Sequence, residues 1–331
     1  MKPYKSIALV LSALLFLSAC GSGGGPDGPP PSGNPFAGRL IARGTGYMHT
    51  MNLSTNGEWK QQITLATGYD VPALHLAGNE LYVADLNMAD PMFVTVYDLA
   101  TFETKHSFTW PLTEDLLRVH GLAVAPGGRY LASVLEGFGG TFLEVLDTQT
   151  EEFVFSGLAD AVSSNLLWTE ESELLFTMEF GDQATEDVYA GVVAVPVAEF
   201  QASGDTLQIK VVEAFNQAEW GLTGTYDLAL SADETQLAYV RNGDIWVKDL
   251  TTTAPAVQLT TGPTGNAGPA FSPDGSLIAF AGVRRYGLSD TMVLPNDGTG
   301  PYVVNINDHS MTQAYVLDRA NLVDAVMAWL P

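Results

Sequence analysis

Pro269-Ala-Phe-Ser-Pro-Asp-Gly-Ser-Leu-Ile-Ala-Phe280 decides the fold, because the chain repeats it in altered words. Leu228-Ala-Leu-Ser-Ala-Asp-Glu-Thr-Gln-Leu-Ala-Tyr239 and Leu122-Ala-Val-Ala-Pro-Gly-Gly-Arg-Tyr-Leu-Ala-Ser133 follow the same plan: an apolar run, a polar turn, a second apolar run. A repeat of this size indicates an array of small antiparallel sheets. The turn residues agree. In Ser272-Pro273-Asp274-Gly275, serine suits the first position of a type I turn, proline presets the second and glycine suits the fourth. Asn242-Gly243 lies between the apolar runs Leu237–Val240 and Ile245–Val247. Both central residues of a tight hairpin turn need positive φ, which asparagine and glycine tolerate best.

The last apolar residue before each turn serves as an anchor for counting. Leu76, Val124, Trp168, Leu230 and Phe271 are spaced by 48, 44, 62 and 41 residues, and Trp329 follows 58 later. Arg39-Leu-Ile-Ala, after a Gly/Pro-rich stretch, reads as the strand that follows such a turn. The C-terminus is therefore expected to supply the first strand of a blade that the N-terminus completes. The fold class expected is all-β: a six-bladed β-propeller of four-stranded antiparallel blades, with no long free sheet edge.

Phe271-Ser-Pro-Asp-Gly-Ser-Leu-Ile-Ala-Phe280 and Asp244-Ile-Trp-Val-Lys-Asp249 resemble the repeats of TolB-type, WD-repeat-like β-propellers. The resemblance is good over 222–304, looser over 113–215 and a matter of pattern only over 39–110. It implies six blades, in agreement with the count. TolB also carries an α/β domain before its propeller, for which this chain has no room, so TolB's particular role is not implied.

Lys2 and Lys5 precede a 13-residue run, Ile7–Ala19, whose only polar residues are two serines. This is the shape of a signal peptide and is too short to span a bilayer as a helix. It ends in Leu17-Ser18-Ala19-Cys20, which resembles a bacterial lipobox and implies cleavage before Cys20 and acylation of that residue. An ordinary secretory signal with a cysteine there by chance is the other reading; Cys20 is the only cysteine in the chain. Gly21 rather than aspartate after it favours the outer membrane, by analogy with enterobacterial lipoproteins. Residues 21–38 hold seven glycines and five prolines and read as a tether. The expected division is a signal peptide over 1–19, lipidated cysteine and tether over 20–38, and the propeller over 39–331.

Charge narrows the partners. Without residues 1–19, which carry Lys2 and Lys5 and no acid, 12 basic residues face 38 acidic ones, a formal charge of −26. Such a field repels nucleic acid and anionic lipid headgroups. The membrane is expected to be met through the lipid alone, by a monomer. With no second cysteine, disulfides contribute nothing even in an oxidising compartment.

Catalytic motifs are missing from the sequence: there is no G-x-S-x-G, no H-E-x-x-H, no Walker loop and no paired-cysteine metal site. Asp274-Gly275 and Asp297-Gly298 lack the alternating carboxylates of a calcium loop and read as turns. One constellation remains. Asp70, His120, Asn165, Asp227, Asn266 and Asp324 stand a few residues before six successive anchors. In a propeller these positions line the mouth of the central channel, where oxygen and nitrogen ligands could hold a divalent cation or a polar ligand. Some six-bladed lactonases and esterases use Asn, Asp and Glu in this way; the match is one of position, not of motif. Polar residues beside a hydrated channel also occur without any function, as aspartate and asparagine suit strand starts. No resident cofactor is expected beyond such a cation.

The connections on the same face offer interface residues: Trp110, Trp220, Tyr226, and the adjacent arginines Arg284 and Arg285 with Tyr286. Exposed aromatic and arginine side chains on loops are what interfaces use, although tryptophans in propellers also pack between blades. Two functions follow from the sequence. One is a non-catalytic envelope lipoprotein that binds a protein, peptide or glycan. The other is a metal-dependent hydrolase, lactonase- or esterase-like, at the channel mouth.

Overall fold

The computed structural model describes residues 37–44, 47–53, 60–64, 73–85, 92–111, 116–138, 140–158, 162–181, 188–202, 209–216, 227–261, 264–284, 300–309, 311–313 and 323–331. These form a β-propeller. Its strands make six four-stranded sheets, with every adjacent pair antiparallel.

In chain order, sheet 2 holds β4 (Ala73–Ala77), β5 (Glu80–Asp85), β6 (Phe93–Asp98) and β7 (Thr104–Thr109). Sheet 3 holds β8 (Leu116–Val124), β9 (Tyr130–Gly137), β10 (Gly140–Asp147) and β11 (Glu152–Leu158). Sheet 4 holds β12 (Val162–Trp168), β13 (Glu173–Gly181), β14 (Val188–Pro196) and β15 (Lys210–Asn216). Sheet 5 holds β16 (Leu228–Leu230), β17 (Gln236–Arg241), β18 (Asp244–Asp249) and β19 (Val257–Gln258). Sheet 6 holds β20 (Thr264–Phe271), β21 (Leu277–Arg284), β22 (Gly300–Asn305) and β23 (Met311–Gln313). Sheet 1 is composite. Its first strand is the last of the chain, β24 (Val323–Leu330), followed by β1 (Arg39–Gly44), β2 (Tyr47–Asn52) and β3 (Lys60–Thr64). The first strands touch in succession, β4 with β8, then β12, β16, β20 and β24, and β24 meets β4 again.

The core is distributed between neighbouring sheets. Leu131 and Leu135 of sheet 3 pack with Tyr82 and Val94 of sheet 2 and with Trp110, which directly follows β7. Ala132, Val134 and Val145 on the other side pack with Trp168, Phe176 and Val193 of sheet 4. Similar clusters join sheets 1 and 2, 4 and 5, and 5 and 6. A strand inside such a stack is covered on both faces, so it reads as an unbroken apolar run rather than an alternating one. Tyr130-Leu-Ala-Ser-Val-Leu135 is buried at all six positions, whereas the outermost strand β7, Thr-Lys-His-Ser-Phe-Thr, is exposed at five. Among the described residues one α-helix interrupts the all-β plan, α1 (Val197–Ala202), whose Phe200 packs against Phe155 and Trp168.

The quoted repeats form the turns expected of them. Gly275 N–H donates to Ser272 O at 2.9 Å, and the Ser272 hydroxyl bonds Asp274 at 2.6 Å while accepting Leu277 N–H at 3.0 Å. Ser231, Asp233 and Gln236 reproduce that pattern at 2.7 and 3.0 Å. Glu234 takes the place of Gly275 with φ +54°, an uncommon conformation for a residue with a side chain, and its carboxylate accepts Glu170 N–H of the neighbouring turn at 2.8 Å. Asn242 and Gly243 have φ of +55° and +77°, as the tight hairpin requires.

The ends of the body meet as the sequence anticipates. Leu40 pairs with Trp329 and Arg43 with Ala325. Trp329 is buried, and its indole N–H donates to Ala37 O at 2.8 Å.

Candidate functional site

Two faces follow from the strand directions. The first strands end on one side, where the turns after Ala77, Val124, Trp168, Leu230 and Phe271 lie, together with the turns from third to fourth strands; this is the turn face. The hairpins from second to third strands, such as Gly137–Gly140 and Arg241–Asp244, lie on the opposite, hairpin face. Of the polar residues singled out by the anchor offsets, His120, Asn165, Asp227, Asn266 and Asp324 fall on the hairpin-face side of their anchors.

Offsets of three to six residues from the anchors do not give equivalent positions. His120 is in the middle of β8, at a point where the ladder skips from Val119 to Gly121. Asn165 lies in β12 within a similar irregularity between Val162 and Leu166, and Asp324 of β24 is skipped between Val323 and Ala325. Asp227 precedes β16 altogether. Bulges bend a strand and re-aim side chains, so counting along the sequence loses register at each one.

The described side chains are engaged with their own surroundings. His120 Nε2 lies 2.9 Å from Glu136 Oε2, both partly exposed, within sheet 3. Asp227 Oδ2 accepts Gly268 N–H at 2.7 Å, tying sheet 5 to the bulge in β20. Asn266 is 4 % exposed and donates to Gly243 O at 2.7 Å and to Thr260 Oγ1 at 3.1 Å. Thr260 in turn bonds Asp244, whose carboxyl is raised by burial and partly restored by hydrogen bonds from Thr260 and Gln258. Asp227 and Asn266 thus each bond across the junction of sheets 5 and 6, to different partners, while His120 bonds within sheet 3. Among the described residues no three His, Cys, Asp or Glu side chains converge as a metal site requires. Asp70, Cys20, Trp220, Tyr226, Arg285 and Tyr286 lie outside the described residues, and Arg284 is placed only as the last residue of β21.

One interface candidate is corrected. Trp110 is fully buried; its ring packs against Phe153 and its indole N–H donates to Glu144 Oε2 at 2.8 Å. Glu144 is 2 % exposed and also accepts from the Ser156 hydroxyl at 3.2 Å. A tryptophan in a connection is available for contact only if no buried acceptor claims its N–H. Here Glu144, 34 residues away, does.

Other features escaped the sequence reading. Phe138, at the tip of the β9–β10 hairpin, is 80 % exposed on the hairpin face, and Phe93, at the start of β6 in the neighbouring sheet, is 40 % exposed. Glycine on either side of Phe138 was the available signal. A second repeat marks the ends of third strands. Asp98, Asp147 and Asp249 each accept backbone N–H groups two residues on, and Asn305 does the same for Asn307. Tyr-Asp-Leu-Ala-Thr, Leu-Asp-Thr-Gln-Thr and Lys-Asp-Leu-Thr-Thr carry it in the sequence. His75, in β4, is held down to about 4 by burial, against a hydrogen bond to the Val124 backbone that raises it.

Sheets packed face to face in a cycle, with first strands innermost, define the class: a β-propeller. Solved structures share the arrangement. A chain of a nidogen/laminin complex superposes with a TM-score of 0.59 at 11% identity, covering 88% of this chain and 96% of that one. TolB from Acinetobacter baumannii gives 0.55 at 14% identity, covering 89% and 67%. Kuenenia stuttgartiensis hydrazine synthase gives 0.50 at 12%, covering 76% and 67%. These likenesses concern the fold alone. No family model and no curated protein sequence matches the chain.

Proposed function

We propose that this chain is a bacterial envelope lipoprotein, acylated on Cys20. Its six sheets are the six blades of one closed ring, and the ring is a binding platform for a protein, peptide or glycan. The cycle of first-strand contacts and the pairing of β24 with β1 support the closed ring. The observation that carries the binding role is the propeller itself, a rigid stack whose two faces present turns and hairpins without requiring chemistry. The nidogen/laminin neighbour is a fold relative taken from a complex of two proteins. No helix among the described residues is long and apolar enough to cross a membrane, and the lipobox-like Leu17-Ser18-Ala19-Cys20 supplies the attachment. Several acyl chains on one residue give stable anchoring.

The His120–Glu136 pair is the one observation that favours the hydrolase reading, since both are metal-ligand types near the hairpin face. A catalytic zinc takes three protein ligands, and this pair supplies two.

Acyl-group mass spectrometry on the wild type and Cys20→Ala, with photo-crosslinking from both faces in intact envelopes, tests the reading. Acylation of the wild type alone, with face-specific crosslinks to a recurring partner, is the expected result. An unacylated wild type, or stoichiometric zinc or calcium in the purified chain with metal-dependent ester hydrolysis, overturns it.

A further inference from the structure

The core between sheets 3 and 4 stops short of the hairpin face. Val134 and Leu143, paired across β9 and β10, are buried in it. One step farther along the same side of sheet 3, the cross-strand pair is Glu136 and Thr141, both partly exposed. His120 joins them. It is the extra residue of the β8 bulge, where Val119 and Gly121 pair with the consecutive residues Leu135 and Val134, and its Nε2 lies 2.9 Å from Glu136 Oε2. Just beyond Glu136, at the hairpin tip, Phe138 is 80 % exposed, the most of any large apolar side chain among the described residues. Glycine stands before and after it, so its chain neighbours cover neither face of the ring.

We propose that this end of sheet 3 binds a neutral, β-linked oligosaccharide of glucose-type rings, with Phe138 as the stacking platform and His120 and Glu136 bonding the hydroxyls. The site is one form of the binding platform above and rests on that reading. Chemistry selects the ligand class. A pyranose with equatorial hydroxyls carries its C–H bonds on two flat faces and its hydroxyls around the rim. Such a ring lays an apolar face on an aromatic side chain and turns its rim to polar groups, and Phe138 and the His120–Glu136 pair offer these side by side. Among the described residues His120 Nδ1 and Glu136 Oε1 have no protein partner, and a hydroxyl, which both donates and accepts, pairs with either. Glycoside hydrolysis takes a pair of carboxyl groups flanking the bond. Among the described residues this layer holds one, Glu136, so the sugar is held and not cut.

Charge agrees. Asp98, Asp147, Asp233, Asp249 and Asp274 lie on the turn face, each held below the usual carboxylate range, mainly by hydrogen bonds from backbone or side-chain donors, and they are ionised at neutral pH. The eight residues of β10 put about 26 Å between that face and the hairpin tip. This is well beyond the Debye length, about 8 Å at physiological salt. A basic partner is drawn to the turn face, and an anionic sugar at the tip meets Glu136. A neutral sugar is turned away by neither.

Calorimetric titration of the full-length chain, in a detergent without a sugar headgroup, tests the site. The probes are cellotetraose and chitotetraose, with tetragalacturonic acid and tetralysine as charged counterparts. Saturable binding of at least one neutral tetramer is expected. Phe138→Ala should weaken it about tenfold or more, the loss of one stacked aromatic contact, and leave the melting temperature unchanged because the ring is exposed. Glu136→Gln, which keeps an acceptor, should weaken it less than Glu136→Ala. Phe93→Ala, which removes an exposed ring of sheet 2 on the same face, should leave the affinity as it was. No saturable binding of either neutral tetramer, or binding that Phe138→Ala leaves intact or lowers no more than Phe93→Ala does, overturns the site. Tighter binding of tetralysine, lost in Phe138→Ala, overturns it in favour of a basic peptide. In each of these cases, recurring face-specific crosslinks in intact envelopes leave the platform reading standing, and their absence takes that reading down as well.

Discussion

The Trp329 indole donates a hydrogen bond to the carbonyl of Ala37 across 292 residues of sequence. It joins the last strand of the chain to the residue that opens the described body, beside the Leu40–Trp329 pair of the β1–β24 ladder. Among the described sheets, sheet 1 alone is assembled from both ends, so a single strand of eight residues separates a completed stack from one with two exposed edges. Exposed edges invite pairing with other chains.

Trp329→Ala removes a buried ring and this hydrogen bond, and should lower stability by about 3–5 kcal/mol, a large part of what a typical domain possesses. Deletion of 321–331 should leave an aggregating body. Urea unfolding of the wild type and variant gives the difference. A midpoint unchanged by Trp329→Ala would mean that the ladder closes the stack without its aromatic anchor.

Trp110→Phe keeps most of the ring but strips one donor from the buried carboxylate of Glu144, and should destabilise by about 1–3 kcal/mol. Because the side chain is inside, the same change should leave partner crosslinking in envelopes as it was. Reduced crosslinking at full stability would restore Trp110 as a contact residue.

His75 makes stability depend on pH. Burial lowers it from 6.5 to about 4, so the unfolded chain binds a proton near 6.5 while the folded chain resists until about 4. The stability present above pH 6.5 is therefore lost as pH falls through that window, by less than full burial would give because the ring is still partly exposed. His75→Gln should flatten the dependence between pH 7 and 4.5 in denaturant titrations. Parallel curves for the variant and wild type would show that the ring titrates normally. The turn-face aspartates, lowered rather than raised, add their own loss at still lower pH.

Asp227→Asn preserves an acceptor for Gly268 N–H and should change the melting temperature by no more than a degree or two, while Asp227→Ala, which leaves that N–H without its 2.7 Å partner, should cost about 1–3 kcal/mol. Calorimetric titration with calcium, zinc and manganese should give no binding that Asp227→Asn abolishes. Stoichiometric uptake lost in Asp227→Asn would make Asp227 a ligand and revive the hydrolase reading.

Local chemistry was legible in the sequence because it needs only neighbours. The Ser-x-Asp turns, the Asn242-Gly243 hairpin and the apolar runs on either side are set by φ preferences and short-range hydrogen bonds, and they fall where the residues say. Their recurrence implied stacked four-stranded sheets, and Arg39-Leu-Ile-Ala with Trp329 implied a sheet shared by the two ends. The candidate site was less legible. Its residues were chosen by counting from anchors, and the bulges in β8, β20 and β24 shift the count by an amount that no residue type announces.

What the sequence by itself determined is the repeating unit, the class of fold and the places where chain turns. What only tertiary structure decided is the partner of each polar group: Glu144 for Trp110, Glu136 for His120, Gly268 for Asp227, and Ala37 for Trp329. Those partners lie 34, 16, 41 and 292 residues away, brought close by the stacking of sheets. Apolar runs specify which strands are buried, but which distant donor finds which acceptor depends on packing, bulges and the closure of the stack.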